Sequence, residues 1–381
     1  MNKSPKELDV REIKAKTLLN ESRKIDSWFL SKYNMNIYRG CQHACVYCDG
    51  RSEKYQVQGD FGKSVTVKIN APELLHHELD EKLSNNQKKS GFILIGGGVG
   101  DSYQPVEKDY QLTRKILSII NGYQIPIHIL TKSTLIERDL DLIQSINQQK
   151  AIVSMSFSSV DDELSKLLEP GVAPPSERLR VLEKFKNSGI SCGMYLMPTI
   201  PYITDTPAKI EDCFKKASQI GLDFIVYAGL TLKEGRQKQY FYDFLDKHFP
   251  DHIEDYDELY AESDKWGAPD SKYTGSYNQF LISLSRKYNI PIRLPIDFVS
   301  KFIPLKDQVI ATLEQIDYLR KMRGQKSSFG YTAYNLSKIK EDIYQIRYCL
   351  QSIKGIGPVT ERIIKDIINN GKSLYYDNLL R

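Results

Sequence analysis

No stretch of the chain approaches eighteen consecutive apolar residues, and residues 1–16 are studded with Lys, Glu, Asp and Arg where a secretory leader would carry an apolar core. Neither a membrane-spanning helix nor a leader is expected, so the expected compartment is the cytoplasm, with no membrane partner. Cysteine is scarce: six in 381 residues are too few for a disulfide scaffold. Low-complexity segments and internal repeats are missing too. With 23 Gly and 16 Pro spread along the chain and 41% hydrophobic residues, no segment is too polar to bury a core, which excludes collagen-like, mucin-like and disordered classes. At roughly 150 residues per domain the length implies two or three domains.

Charge is uneven. The whole chain carries +5, yet the stretch from Arg320 to Arg381 holds twelve Lys and Arg against five Asp and Glu. The rest is therefore slightly acidic, and an anionic partner such as nucleic acid is expected at the C-terminal end. A solvated basic face is the ordinary alternative.

Short apolar runs at 33–38, 92–95, 126–131, 151–157, 191–197 and 223–228 alternate with amphipathic stretches at 106–121, 135–148, 176–188 and 207–220. Strand and helix alternating in this way predict an α/β fold, a partial (β/α)6 barrel on a parallel sheet. Helices rich in Tyr and Phe follow at 240–248, 251–262 and 273–288, then a short strand at 292–295. Four segments are expected: an N-terminal extension (1–32), the barrel (33–230), an aromatic helical extension (231–322) and a basic helical C-terminal module (323–381). Trp266 and the aromatics around it read as packing.

The sharpest feature follows the first strand: Cys41-Gln42-His43-Ala44-Cys45-Val46-Tyr47-Cys48. In a reducing compartment such a cluster reads as metal binding. A four-iron four-sulfur cluster normally takes four Cys ligands, so three leave one iron open to an exogenous ligand. The rival is a tetrahedral zinc knot completed by His43 or a distant residue. The later cysteines, Cys192, Cys213 and Cys349, supply no second pair, and Cys213 and Cys349 read as packing.

Other strand ends carry polar or flexible groups. Gly96, Gly97 and Gly98 follow 92–95 and allow a ligand to approach the backbone, or make a tight turn. Lys132 ends the third strand, at the rim where α/β barrels gather their catalytic groups. His128 reads as a satisfied core histidine. The fourth strand is rich in small hydroxyl residues, with a helix cap as the rival role for Ser158 or Ser159. On the fifth, either the face of Cys192, Met194 and Leu196 or that of Gly193, Tyr195 and Met197 lines the interior.

This spacing of three cysteines, with Tyr47 before the last and at the end of a first strand, resembles the radical S-adenosylmethionine (SAM) superfamily. Within it, residues from about 33 to 295 look like the spore photoproduct lyase-like (DNA repair photolyase-like) group. The resemblance implies a 4Fe-4S cluster on Cys41, Cys45 and Cys48 whose free iron binds SAM. It implies reductive cleavage to methionine and a 5'-deoxyadenosyl radical, and hydrogen abstraction from a substrate in the barrel. It assigns SAM contacts to Tyr47, Gly96, Gly97, Gly98, Lys132, Ser156 (the ribose) and Arg178, and an electron donor such as flavodoxin or ferredoxin. It names no catalytic side chain here and leaves the oligomeric state open.

Two positions depart from the lyase itself. Gly98 stands where the lyase has its hydrogen-donor cysteine, and Asp49 where it has a tyrosine after the last cluster cysteine, so spore photoproduct is rejected as the substrate. In the tail, Ile353-Lys354-Gly355-Ile356-Gly357-Pro358 resembles a helix-hairpin-helix motif. Lys354, Gly355, Gly357 and Arg362 would then contact phosphate, after a first helix at 336–350. An interhelical packing turn is the alternative. The expected substrate is nucleic acid or nucleotide-like, with a peptide or small metabolite as second reading and a non-catalytic metal-knot nucleic-acid-binding protein as third.

Overall fold

The computed structural model of the chain describes residues 8–84 and 91–380. Residues 1–7 of the expected N-terminal extension and Arg381 of the expected C-terminal module lie outside the described residues.

The chain begins with β1 (Asp9–Ile13), β2 (Leu19–Asp26), β3 (Ser31–Met35), β4 (Tyr38–Arg39) and β5 (Ser64–Lys68), and α1 (Ala71–Ser84) leads to β6 (Phe92–Gly96). Strands and helices then alternate: α2 (Glu107–Tyr110), α3 (Leu112–Tyr123), β7 (Ile127–Thr131), α4 (Leu140–Ile146), β8 (Ala151–Phe157), α5 (Asp162–Leu168), α6 (Pro175–Asn187), β9 (Ser191–Thr199), α7 (Pro207–Gln219) and β10 (Phe224–Gly229). Among the described residues the main sheet has the order β10-β9-β8-β7-β6-β3-β2. Its strands from β3 to β10 are parallel, while β2 runs antiparallel to β3. β10 and β2 form separate edges, so the six strand-helix units make the partial barrel that the alternation predicts.

Every residue of β6, β7 and β8 is buried, as expected for parallel strands covered on both faces. The interior face of β9 is the one carrying Tyr195 and Met197: Tyr195 stacks on Phe29 at 5.3 Å and Met197 reaches the cavity described below. A second sheet, β1-β5-β4, was not foreseen, nor was β2. β1 and β2 are half exposed and charged, and β4 and β5 hold too few apolar residues to show a run.

Several expected elements differ. The helix expected over 106–121 breaks at Gln111, which is left-handed, because the Glu107 carboxylate accepts from Thr113 N and starts α3 anew. The stretch 135–148 opens as a 3-10 turn, Thr134–Asp139, before α4. Residues 292–295 are not a strand: prolines at 291 and 295 remove ladder donors, and Pro291 O only accepts from Ile225 N.

Beyond β10 come α8 (Arg236–His248), α9 (Ile253–Leu259), α10 (Ser271–Tyr288), α11 (Leu305–Met322), α12 (Phe329–Lys338), α13 (Pro358–Asn370) and α14 (Leu374–Leu380). α11 is buried almost all round. It packs on β2 and on α12, α13 and α14, so the C-terminal helices share one apolar core with the barrel. Gln315 ties the layers together by donating to Ser27 O and Leu294 O and accepting from Tyr376 OH. Cys213 is buried in α7 as expected, whereas Cys349 is exposed, its Sγ donating to Ile346 O at 3.5 Å. No helix among the described residues is long and apolar enough to cross a membrane.

His128 is a satisfied core histidine. Its two ring nitrogens meet Phe29 O at 3.1 Å and Ser154 Oγ at 2.9 Å, and burial lowers its pKa to about 4. An unfolded histidine titrates near 6.5. Between those values the unfolded chain binds more protons, so this group's contribution is complete above about pH 6.5 and is lost as pH falls toward 4. Acidification from pH 7 to 4.5 is expected to cost roughly 2–3 kcal/mol more in the parent chain than in His128→Gln. Equal acid sensitivity of the two in denaturant titrations would refute this.

Candidate cofactor site

The cysteine loop starts at a turn that only glycine allows. Gly40 has φ +80°, and a Cβ there would lie 2.4 Å from Ser64 O. From that turn the loop is clamped on both sides. Gln42 N donates to Gln104 Oε1 at 3.0 Å and Val106 N to Gln42 Oε1 at 2.6 Å. Val46 N donates to Leu168 O, and Gly171 N to His43 O. Arg51 donates to the carbonyls of Ala44 and Cys45 and lies over the Tyr240 ring at 3.6 Å. Cys45, Val46 and Tyr47 then form an apolar cluster with Phe241, Phe244, Tyr256 and Tyr260 of α8, α9 and the residue that follows. The aromatic helices are thus the backing of the loop.

Cys41, Cys45 and Cys48 line one cavity of about 420 Å3 at the C-terminal ends of the strands. Tyr47, Gly97, Gly98, Lys132 and Ser156 line it as well, so segments far apart in sequence meet at one rim. Gly96 and Arg178 do not line it. Gly96 closes β6 with φ +89°, and its Cα hydrogen points at Leu130 O, where a Cβ would come within 2.1 Å. Lys132 Nζ donates to Ser156 Oγ at 2.6 Å, and Ser156 Oγ donates to Met197 O at 2.9 Å.

The thiols fit a cluster better than a zinc knot with His43. Both nitrogens of His43 are engaged, Nδ1 with Gly171 O at 3.0 Å and Nε2 with Asp101 Oδ2 at 3.1 Å. Among the described residues no three His, Cys, Asp or Glu side chains converge to share one metal ion. A cubic cluster takes one thiolate per iron, so its ligands need not converge on a point. Burial pushes the thiols of Cys41 and Cys48 up and that of Cys45 up to about 12. They are therefore neutral until a metal displaces their protons.

Two buried carboxylates organise the rim, and sequence reasoning missed both roles. Asp101 accepts from Lys132 N and Thr131 Oγ1 at 2.7 Å, and from Tyr103 N at 2.8 Å, besides facing His43. Burial works to raise its pKa, but His43, the Lys132 amide and Thr131 hold it below the usual range. Glu169 accepts from Tyr47 OH, from Ser165 Oγ at 2.9 Å and from Arg178 Nη2 at 2.6 Å, with Lys132 Nζ 3.6 Å away. Burial is outweighed there by the Arg178 and Lys132 charges, and the pKa falls to about 2. Arg178, fully buried, also donates to Ser156 O at 2.6 Å. It holds Tyr47 and β8 in place from behind the cavity wall. The only signal for these residues was their position, Asp101 after the glycine loop and Glu169 before Pro170.

Asp101→Asn removes an acceptor shared by His43 and Lys132. It is expected to lower iron retention about 10- to 100-fold, as outer-shell changes at metal sites do. Iron per chain after dialysis against a chelator measures this, and parent-like retention would contradict it.

The tail residues lie elsewhere; Lys354, Gly355, Gly357 and Arg362 do not line the cavity. Lys354 and Arg362 are exposed. Gly355, at φ +98°, passes close to α12, and its carbonyl accepts from Thr332 Oγ1 at 2.8 Å. Gly357 caps α13, which begins with Pro358. The first helix expected over 336–350 is replaced by the end of α12 at Lys338, turns, and a 3-10 turn at Leu350–Ser352. The Asp342 side chain accepts from Tyr344 N at 2.8 Å, a local bond that competes with helix.

A sequence model of the Radical SAM superfamily matches residues 35–212. An uncharacterised protein of Methanocaldococcus jannaschii is 31% identical over 248 residues, covering 65% of this chain and 86% of the relative. Another, from Mycobacterium tuberculosis, is 31% identical over 234 residues, covering 60% and 67%. Among solved structures, a mutant of spore photoproduct lyase superposes with a TM-score of 0.56 at 14% identity, over 73% of this chain and 79% of that one. The same lyase complexed with dinucleoside spore photoproduct gives 0.54 at 15% identity, over 77% and 80%. The match spans the strands that carry the cysteine loop, the glycine turn and Lys132, and the chain belongs to the radical SAM superfamily, with a fold similar to that of spore photoproduct lyase.

Proposed function

We propose that this protein holds a 4Fe-4S cluster on Cys41, Cys45 and Cys48, cleaves SAM there, and takes a hydrogen atom from a nucleic acid or nucleotide-like substrate. The observation that carries this reading is the convergence of three thiols, a glycine edge, a lysine and a serine on one cavity in a chain of this superfamily. Bound together, the cluster and SAM supply a 5'-deoxyadenosyl radical by reductive cleavage of the sulfonium bond.

The chain's own part is to bind and orient. Gly97 and Gly98 leave the backbone edge open to the cofactor's amino group. Lys132, which Glu169 and Ser156 restrain, offers its ammonium to the carboxylate. Ser156 is the proposed ribose contact, and the Tyr47 ring, anchored through its hydroxyl on Glu169, closes the side next to the cysteines. Asp49, bound to Lys233 Nζ at 2.6 Å, adds a fixed negative group at the wall. Gly98 provides no thiol, so repair of spore photoproduct is not the proposed reaction. An electron donor such as flavodoxin or ferredoxin, in the cytoplasm, completes the proposal.

The basic tail supports a nucleic-acid partner, with Lys354 and Arg362 exposed beside the turn that opens α13. Two measurements test the reading. SAM is expected to change the electron paramagnetic resonance spectrum of the reduced cluster, and Lys132→Ala to weaken SAM binding roughly 10- to 100-fold, the range of a hydrogen bond to a charged group. The Lys354→Glu/Arg362→Glu variant is expected to weaken binding of a labelled oligonucleotide and flatten its salt dependence. A spectrum indifferent to SAM would sink the cofactor site, and parent-like oligonucleotide binding would sink the role of the tail.

A further inference from the structure

A second cavity, of about 280 Å3, adjoins the first across the end of β10, and the two share Ala228, Gly229 and Leu230. Five aromatic rings line it, those of Trp28, Tyr227, Tyr273, Tyr277 and Tyr318, with Asp205 and Lys321 as its charged residues. These rings come from the turn after β2, from β10, and from α10 and α11. Most of the cofactor cavity falls within residues 35–212, the segment matched to the superfamily, whereas all five rings lie outside it. The rings of the annex therefore come from parts of the chain outside the matched segment, while Thr199, Pro201 and Asp205 within it complete the wall.

The rings are held in place. Trp28 and Tyr318 meet edge to face at 6.0 Å, and Arg293 lies over both, 4.1 and 3.4 Å from their centres. Arg293 is 2% exposed, and its Nη1 and Nη2 make no hydrogen bond among the described residues. It does not line the annex itself, so its charge rests on the two ring faces and stiffens them. Tyr273 donates to Asp205 at 2.7 Å and packs on Tyr277 at 5.4 Å. Asn278 also lines the annex, and its amide makes no hydrogen bond among the described residues.

We infer that the annex seats one planar heteroaromatic ring of the substrate, a single nucleobase, stacked on the tyrosines with its polar edge toward the Asn278 amide. The volume is below the roughly 300–1,000 Å3 of a drug-sized site, so it takes one ring system and not a base pair. The base must arrive from a single strand, a flipped position or a free nucleotide. A base held there directs its sugar over the Ala228–Leu230 wall toward the cofactor cavity. That last step rests on the proposed radical chemistry; the ring seat does not.

Trp28 reports on the seat directly. The chain has two tryptophans, and the other, Trp266, is in an exposed loop. In the Trp266→Phe holoprotein, kept anaerobic, the monophosphates of adenosine, guanosine, cytidine and thymidine are expected to quench Trp28 emission saturably, and ribose 5-phosphate is not. Tyr277→Ala is expected to weaken the apparent Kd about five- to hundredfold, the range for loss of one base-aromatic stack. Asn278→Ala, on a half-exposed helix face where loss of folding is not expected, should change the preference among the four bases. The inference fails if no nucleotide quenches, if ribose 5-phosphate quenches equally, or if both variants bind like the parent. Quenching requires no SAM cleavage, so quenching without cleavage would refute only the proposed chemistry, and cleavage without quenching only the annex.

Discussion

Cys45→Ala is expected to lose the cluster and, with it, all reductive cleavage of SAM. The three thiols are the only protein donors proposed for it, and each serves a different iron. Loss of one leaves two ligands, so the effect exceeds the roughly 10- to 100-fold cost of altering an outer-shell partner. Folding should survive. The loop is held by Arg51, Gln42, Gln104 and the backbone of Leu168 and Gly171, none of which needs the sulfur. The variant should therefore purify as a folded chain with little iron and sulfide and no detectable 5'-deoxyadenosine. Parent-like iron in Cys45→Ala would remove this residue from the ligand set.

The second large effect is on stability. Arg178→Met leaves the fully buried Glu169 without its closest charge partner, whose Nη2 lies 2.6 Å from Oε2. Breaking a buried pair from one side costs about 3–5 kcal/mol, a large share of the 5–15 kcal/mol that holds a typical domain together. A fall in melting temperature on the order of 10 °C is expected. The double variant Arg178→Met/Glu169→Gln should be more stable than Arg178→Met alone, because the orphaned charge is gone. The double variant should also weaken SAM binding, since Glu169→Gln takes away the charge that anchors Tyr47 and Lys132. Additive destabilisation in the double variant would mean that the ion pair is not what Arg178 supplies.

The strands of the barrel were legible because burial on both faces leaves uninterrupted apolar runs, as in Phe92-Ile-Leu-Ile95 and Ala151-Ile-Val-Ser-Met-Ser-Phe157. The cysteine loop was legible because few chemistries place three thiols in eight residues. Edge and secondary strands were not, since half-exposed strands such as β1 and β2 carry as many charges as a loop. The roles of Asp101, Glu169 and Arg178 were hidden for a related reason. A charged residue in a loop or a first helical turn reads as solvated, and only the fold reveals the buried partners, His43 for Asp101, Tyr47 for Glu169 and Glu169 for Arg178. The tail shows the limit of a short motif: the Gly355 and Gly357 turn and α13 are present, while the helix expected before them gives way to turns.

The central claim is that three cysteines, a glycine edge, Lys132 and Ser156 form one site for reductive SAM cleavage. The most direct test is to purify the chain without oxygen, quantify iron and sulfide, and incubate it with SAM and a strong reductant while measuring 5'-deoxyadenosine and methionine. The account predicts about four irons and four sulfides per chain, with the two products in equal amounts and neither formed without reductant. Zinc in place of iron, or a complete cluster that leaves SAM intact, would contradict it.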